Sequence, residues 1–349
     1  MRISPALPVL FLAATAAGYL MSLLGAPLPW MIGPLVLTAA ATASGLFTER
    51  VPTRIRPFGQ ITVATFVGAH FTPEALHALL ATAPLLIAVS LWVLMAAMLV
   101  ARLQRRIFGG SLVANFLAVV PTSPVEAVVM AEHHGVPTAP VILSQTLRIA
   151  LVVTVIPILL YAGTDGPAPS PEALRRDGIP GAALTLAGAA LGPLLFRAIR
   201  LANPFFLGPL FMAALLSSLD LPAFDVPGPL LAAAQIVLGT WLGGAFRREL
   251  LGGPLLGSAL LSSGLLLATC GLGAWALSLL FAAPFATVML GIAPGGVTEM
   301  ALTAGILAQD VALVTAMHLT RIFVIMPNAG WIARLSNRAD PSARRDTGR

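Results

Sequence analysis

Two glutamates and two arginines carry the chemistry that this sequence offers. Glu126 and Glu299 stand 173 residues apart, as do Arg148 and Arg321, so each arginine follows its glutamate by 22 residues. Both arginines interrupt strongly apolar runs. A charge at the centre of a membrane helix costs roughly 2.5 to 3.5 kcal/mol on insertion scales, so it needs a partner and marks a functional site by default. The equal spacing nominates the ion pairs Glu126 with Arg148 and Glu299 with Arg321, either within each copy or exchanged between copies. As a structural element, such a pair fixes one segment against the next. As a functional element, an arginine holds an anionic solute while a glutamate carries a coupling proton or sodium ion.

Each glutamate sits just after a helix-breaking run, Pro121-Thr122-Ser123-Pro124 in one place and Pro294-Gly295-Gly296 in the other. Ser123-Pro124-Val125-Glu126 has the form of a helix start, with a serine cap, proline at the first position and glutamate three residues after the cap. Gly296-Val297-Thr298-Glu299 is its counterpart with glycine as the cap. Backbone N–H groups at such starts suit an anion, and free carbonyls beside them suit a cation. Gln60, Gln235, Gln145 and His318 are further polar residues in apolar surroundings. Interhelical hydrogen bonding is their ordinary role, with a place in the site as the alternative. His133 and His134 beside Glu132 form a short hydrophilic turn whose ordinary state is solvated. The single cysteine, Cys270, supports neither a disulfide framework nor a cysteine-based metal site.

The elements that must position these residues follow from composition. Only 10% of the 349 residues are charged and 58% are hydrophobic, with a mean hydropathy of +0.92. A soluble domain carries roughly 25% charge, so a water-soluble enzyme is excluded. All 20 basic residues are arginine, scattered between apolar runs, so the net charge of +6 does not point to nucleic acid. Runs long enough to cross a bilayer as helices cover 8–24, 29–47, 58–71, 79–103, 140–161, 179–199, 204–219, 229–246, 255–281 and 311–332. The first is expected to be a retained span and not a signal peptide, because it has a counterpart later in the chain. A proline-rich, charged linker is expected over 163–178 and a disordered tail over 336–349.

Self-similarity organises these spans into two copies. Pro29-Trp30-Met31-Ile32-Gly33-Pro34 recurs as Pro204-Phe205-Phe206-Leu207-Gly208-Pro209, an offset of 175 that also maps Gln60, Gly68, Phe71 and Glu74 onto Gln235, Gly243, Phe246 and Glu249. An offset of 173 maps Pro121 onto Pro294, Gln145 onto His318 and Arg148 onto Arg321. The expected domains are therefore a first membrane repeat over 1–162 and a second over 179–335. The segments 107–135 and 284–310, each broken in the middle, either cross the membrane or return as re-entrant hairpins. If they re-enter, Arg50, Arg54, Arg56, Arg102, Arg105, Arg106, Arg197, Arg200, Arg247 and Arg248 all fall on one face, as the positive-inside rule requires. The expected fold is an all-α polytopic membrane protein of two inverted repeats, each with five spans and one re-entrant or broken hairpin. Both termini are expected in the cytoplasm.

The motif Pro-Trp-Met-Ile-Gly-Pro at 29–34, the element Pro-Gly-Gly-x-x-Glu at 294–299 and their second copies resemble the bacterial AbrB membrane-protein family, over essentially all of residues 5–335. The resemblance implies a tandem-duplicated protein of the bacterial inner membrane, in a family labelled both an ammonia monooxygenase and a regulator of gene expression. In the first copy Pro121-Thr122-Ser123 replaces Pro-Gly-Gly, so the two halves need not contribute equally to a site. A copper or iron oxygenase needs several converging histidine or carboxylate ligands. The five histidines, His70, His77, His133, His134 and His318, form no His-x-x-His pair, so an enzyme is not expected. A DNA-binding module has no hydrophilic stretch to occupy. The expected function is secondary transport of a small anionic or amphipathic solute, coupled to protons or sodium, with no bound cofactor. Its expected partners are the lipid bilayer and the solute, with self-association open. A membrane sensor using the same pocket is the alternative.

Overall fold

The computed structural model describes residues 6–122, 124–162, 178–201, 203–246, 248 and 253–338. The linker and most of the tail lie outside these residues, although the last helix runs through Arg338 and so takes in the first three tail positions. The described residues are helical, with no β-strand among them. Five helices are long and apolar enough to cross a membrane, over Ala6–Leu23, Ala83–Phe108, Thr138–Ala162, Gly178–Ala198 and Leu255–Leu280. Each of the ten apolar runs read from the sequence holds one helix, because a backbone in hydrocarbon must satisfy its own polar groups. The helix Pro73–Ala81, capped by the Thr72 hydroxyl, was not among them. It is a short polar-ended helix whose nine residues have no membrane-length pattern.

The chain divides into two compact units, each drawn from both repeats. The first gathers residues 1–82, 154–247 and 298–315. It contains α1 (Ala6–Leu23), α2 (Pro29–Ser44), α3 (Arg56–Gly68) and α4 (Pro73–Ala81). From the second repeat come α9 (Gly178–Ala198), α10 (Pro204–Ser218) and α11 (Gly228–Gly243). In this unit α2 packs on α1 and α10 on α9, while α3 packs on α10 and α11 on α2, so the halves are exchanged. Glycines set the close crossings. A Cβ on Gly68 would lie 2.5 Å from the Leu210 carbonyl oxygen, and one on Gly243 would lie 2.6 Å from that of Leu35. Gly68 and Gly243 are equivalents at offset 175, as are Leu35 and Leu210. Gly239 meets the backbone of Met31 in the same way, so Gly239-x-x-x-Gly243 is a close-packing face.

The order of these contacts fixes helix directions. Gln60, Gly68 and Ala69 of the α3 segment meet Asn203, Leu210 and Ser217 in turn, so α3 and α10 run parallel. Gly239 and Gly243 meet Met31 and then Thr38, so α11 and α2 also run parallel.

The second unit gathers residues 83–153, 248–297 and 316–349. Its long helices are α5 (Ala83–Phe108), α12 (Gly253–Leu280), most of α8 (Thr138–Ala162) and the later part of α15 (Val311–Arg338). The Trp92 indole N–H donates to the Thr269 carbonyl at 3.0 Å, and the Gln104 amide donates to the Ser258 hydroxyl at 2.7 Å. Ascending α5 therefore descends α12, and these two equivalent helices are antiparallel. Both interrupted segments resolve into pairs of short helices: α6 (Leu112–Val119) with α7 (Pro124–His133), and α13 (Phe285–Ile292) with α14 (Val297–Ile306). The Ser111 hydroxyl caps α6 by accepting from the Ala114 amide at 3.1 Å.

Candidate functional site

A helix that stops in a buried, apolar place leaves its last carbonyls without partners, and no water is at hand to replace them. In the second unit this happens twice, at the ends of α6 and α13, and the same solution appears at both. Gln145 on α8 donates through Nε2 to the carbonyls of Leu117 at 2.7 Å and Val120 at 3.0 Å. One turn on, Arg148 Nη1 donates to Val119 and Val120, each at 3.0 Å. At the second break His318 Nε2 meets the Leu290 carbonyl at 2.9 Å, and Arg321 Nη1 donates to Ala293 at 2.7 Å. Leu117 and Leu290, Val120 and Ala293, Gln145 and His318, and Arg148 and Arg321 are all equivalents at offset 173. The guanidinium fork supplies several donors in one plane, which suits it to a cluster of carbonyls.

The ion pairs nominated by sequence spacing are replaced by these carbonyl contacts. Arg148 and Arg321 are 2% and 3% exposed, and each spends its described hydrogen bonds on backbone oxygens or a neutral ring. The glutamate carboxylates are engaged elsewhere. Glu126 is half-buried in the first turn of α7 and accepts from the Thr122 hydroxyl at 3.1 Å. Glu299, in the first turn of α14 and in the other unit, has Arg56 as its electrostatic neighbour. Arg56 in turn lies 4.3 Å over the Trp241 ring. Equal spacing reported the duplication correctly, but the physical demand at each break comes from orphaned carbonyls, which an arginine satisfies better than a second charge would.

The two cradles are equivalent but not identical. Arg148 reaches across to the other break, where its Nε donates to the Pro294 carbonyl at 2.8 Å. Arg321 Nη2 donates to Gly295 at 3.1 Å and approaches His318 Nδ1 at 2.9 Å. Because a carbonyl only accepts and a guanidinium only donates, His318 carries its proton on Nε2 and is neutral. Arg321 Nε, the equivalent of the atom that Arg148 uses on Pro294, is buried without a partner, and so is Gln145 Oε1. Cys270 on α12 is fully buried within electrostatic reach of both guanidinium groups.

The expected site residues thus separate into groups. Arg148, Arg321, His318, Pro294 and Gly295 come together in the second unit, with Pro121 buried and Thr122 half-buried at the first break and Gly296 half-buried at the second. Ser123 lies outside the described residues. Thr298, buried, and Glu299 belong to the first unit, where the Glu299 carbonyl accepts from the Thr303 hydroxyl at 2.7 Å. Gln60 and Gln235 are in the first unit too. Gln60 donates to the Asn203 side-chain oxygen at 2.9 Å, at the residue that precedes Pro204 and the start of α10. Its equivalent, Gln235, keeps Oε1 unpartnered, and the position equivalent to Asn203 is the apolar Leu28. His133 closes α7 beside His134, with ring centroids 5.3 Å apart. Among the described residues no cluster of three or more histidine, cysteine or carboxylate groups is placed to hold a metal ion.

Sequence reasoning missed the carbonyl acceptors and Cys270. The signal for the carbonyls was present, since the offset that pairs the arginines also pairs the residues just before each break. A protein of Escherichia coli (strain K12) named "Putative regulator AbrB" is 27% identical over 322 residues, spanning 90% of this chain and 92% of that protein. A family profile described as "Transition state regulatory protein AbrB" matches residues 30–337. The match takes in nearly every described helix and both arginine cradles, and the chain belongs to the AbrB family.

Proposed function

We propose that this protein is a multi-pass secondary transporter of a small anionic or amphipathic solute, and that its two halves have inverted topology. The observation that carries the reading is the matched pair of interrupted helices, each closed by a buried arginine from the same repeat position. Helix interruptions inside a membrane persist where they line a polar site, and paired interruptions in inverted repeats are a transporter plan.

Helix direction supports inversion. With the segment 107–135 returning to its starting side, the chain crosses five times from α3 to α10 and six times from α5 to α12, counting both ends and omitting re-entrant segments and the short α4. The even count makes α5 antiparallel to α12, and the odd count makes α3 parallel to α10. With the segment crossing instead, both relations reverse. The contacts Trp92 to Thr269 and Gln104 to Ser258 on one side, and Gln60 to Asn203 and Ala69 to Ser217 on the other, agree with the re-entrant count. The same arrangement gathers the arginine-rich ends on one face, which by the positive-inside rule is the cytoplasmic one.

The test is uptake into proteoliposomes of a panel of small acids and amphipathic solutes, with and without a proton or sodium gradient. Gradient-dependent accumulation of at least one solute, lost on Arg148→Gln in protein that remains folded in the membrane, is the expected result. A chain that moves no solute under any gradient yet binds one is instead a sensor, the reading to which the name of the E. coli relative points.

A further inference from the structure

The second unit buries two positive charges with no negative side chain among their described hydrogen-bond partners. Arg148 and Arg321 each lie within electrostatic reach of the other, where two like charges raise one another's energy. His318 is neutral by its hydrogen bonds, and Cys270, the other titratable side chain beside both, is a thiol in a fully buried position. Glu126, the remaining acidic group of the unit near the first break, is turned to the Thr122 hydroxyl. The helix ends supply some compensation. A helix C-terminus carries roughly half an elementary negative charge, and the arginines cap two of them, at α6 and α13. That offsets about one of the two positive charges and leaves the other uncompensated.

The unused donor shows where the remaining charge is exposed. Arg321 is 97% buried, yet its Nε has no partner, while the equivalent Nε of Arg148 is satisfied by Pro294. An unpaired donor on a charged group in a low-dielectric site is costly, and a single-charged acceptor removes both the orphan and the excess charge. We propose that the Arg321 guanidinium, through Nε, binds one small monovalent anion, a carboxylate group or a halide, in the cradle it forms with Arg148. A dianion overcompensates the site and is disfavoured. The inference deepens the transport reading by naming the class of solute group that the cradle takes, and it rests on that reading for its physiological meaning.

The experiment is equilibrium binding to the purified full-length chain in detergent micelles, with radiolabelled chloride and radiolabelled acetate as probes in a sodium sulfate background. The expected result is saturable binding of about one equivalent per chain, reduced at least tenfold by Arg321→Gln. A second variant, Cys270→Asp, places a fixed carboxylate beside both guanidinium groups, so it competes from within and also lowers binding at least tenfold. If Arg321→Gln does not fold, the cysteine variant and the wild type still decide. Absence of saturable binding of either probe to the wild type overturns the proposal, as does wild-type affinity in Cys270→Asp. Binding of acetate or chloride by a chain that transports nothing refutes the transport reading and leaves the anion site standing. Gradient-driven uptake by a chain that binds neither probe does the reverse.

Discussion

Gln60 and Gln235 occupy equivalent positions, are each 4% exposed, and should respond differently to the same substitution. Gln60 spends its amide on Asn203 at 2.9 Å, whereas Gln235 buries an acceptor that nothing satisfies. Methionine keeps the length and flexibility of glutamine and removes both polar atoms. For Gln60→Met the loss is one interhelical hydrogen bond, which in a membrane protein averages about 0.6 kcal/mol and reaches about 1.7 kcal/mol. For Gln235→Met the change removes a buried orphan acceptor, which costs roughly 1 to 3 kcal/mol while present, so stability is unchanged or rises by about 1 kcal/mol. Equilibrium unfolding in mixed micelles, followed by helical circular dichroism, measures both. A cycle with Asn203→Ala isolates the bond: Gln60→Met should lose most of its effect in that background, and Gln235→Met should not. Equal destabilisation by both glutamine variants would refute the reasoning, because it would mean that the Leu28 environment serves Gln235 as well as Asn203 serves Gln60.

Gly68→Val and Gly243→Val each drive a branched side chain into the carbonyl of the partner helix, and overpacking of this kind costs roughly 1 to 3 kcal/mol. The two should lower the unfolding midpoint by similar amounts, since their contacts are equivalent. Arg148→Leu strands the carbonyls of Val119 and Pro294, while Val120 keeps Gln145, so unfolding should fall by about 2 to 6 kcal/mol less whatever is regained by removing a buried charge. Arg148→Lys should recover only part of that loss, because an ammonium cannot span the acceptors on both breaks. For topology, alkaline phosphatase inserted between residues 163 and 177 should be active, and green fluorescent protein fused after residue 349 should fluoresce. A cytoplasmic linker would rule out inversion.

Much of this fold was legible because the bilayer imposes one rule on every span. The ten apolar runs became helices, and the offsets of 175 and 173 carried over into helix packing, down to Gly68 and Gly243 meeting equivalent backbone atoms. The partner choice of the arginines was not legible in the same way. Spacing along the chain says which residues are copies of one another, but it is silent on which acceptors a guanidinium meets once a helix has stopped. Side-chain charge suggested glutamate. The larger local need came from main-chain oxygens, which are present at every residue and therefore leave no mark in residue type.

That origin also explains how two copies of one device can come to differ. Capping is owed at both breaks, and both arginines keep Nη1 on the last carbonyls of their helix. The remaining donors are less constrained. Arg148 uses Nε to tie the first repeat to Pro294 of the second, whereas Arg321 gives Nη2 to Gly295 and His318 and leaves Nε unspent. The sequence difference that accompanies this asymmetry lies in the elements themselves: His318 stands where the first repeat has Gln145, and Gly295-Gly296 where it has Thr122-Ser123. A glutamine satisfies two carbonyls and asks nothing of its arginine, while a neutral histidine with Nε2 on Leu290 must take a donor at Nδ1. The imidazole thereby engages Arg321 at Nη2, and Nε is left buried without a partner.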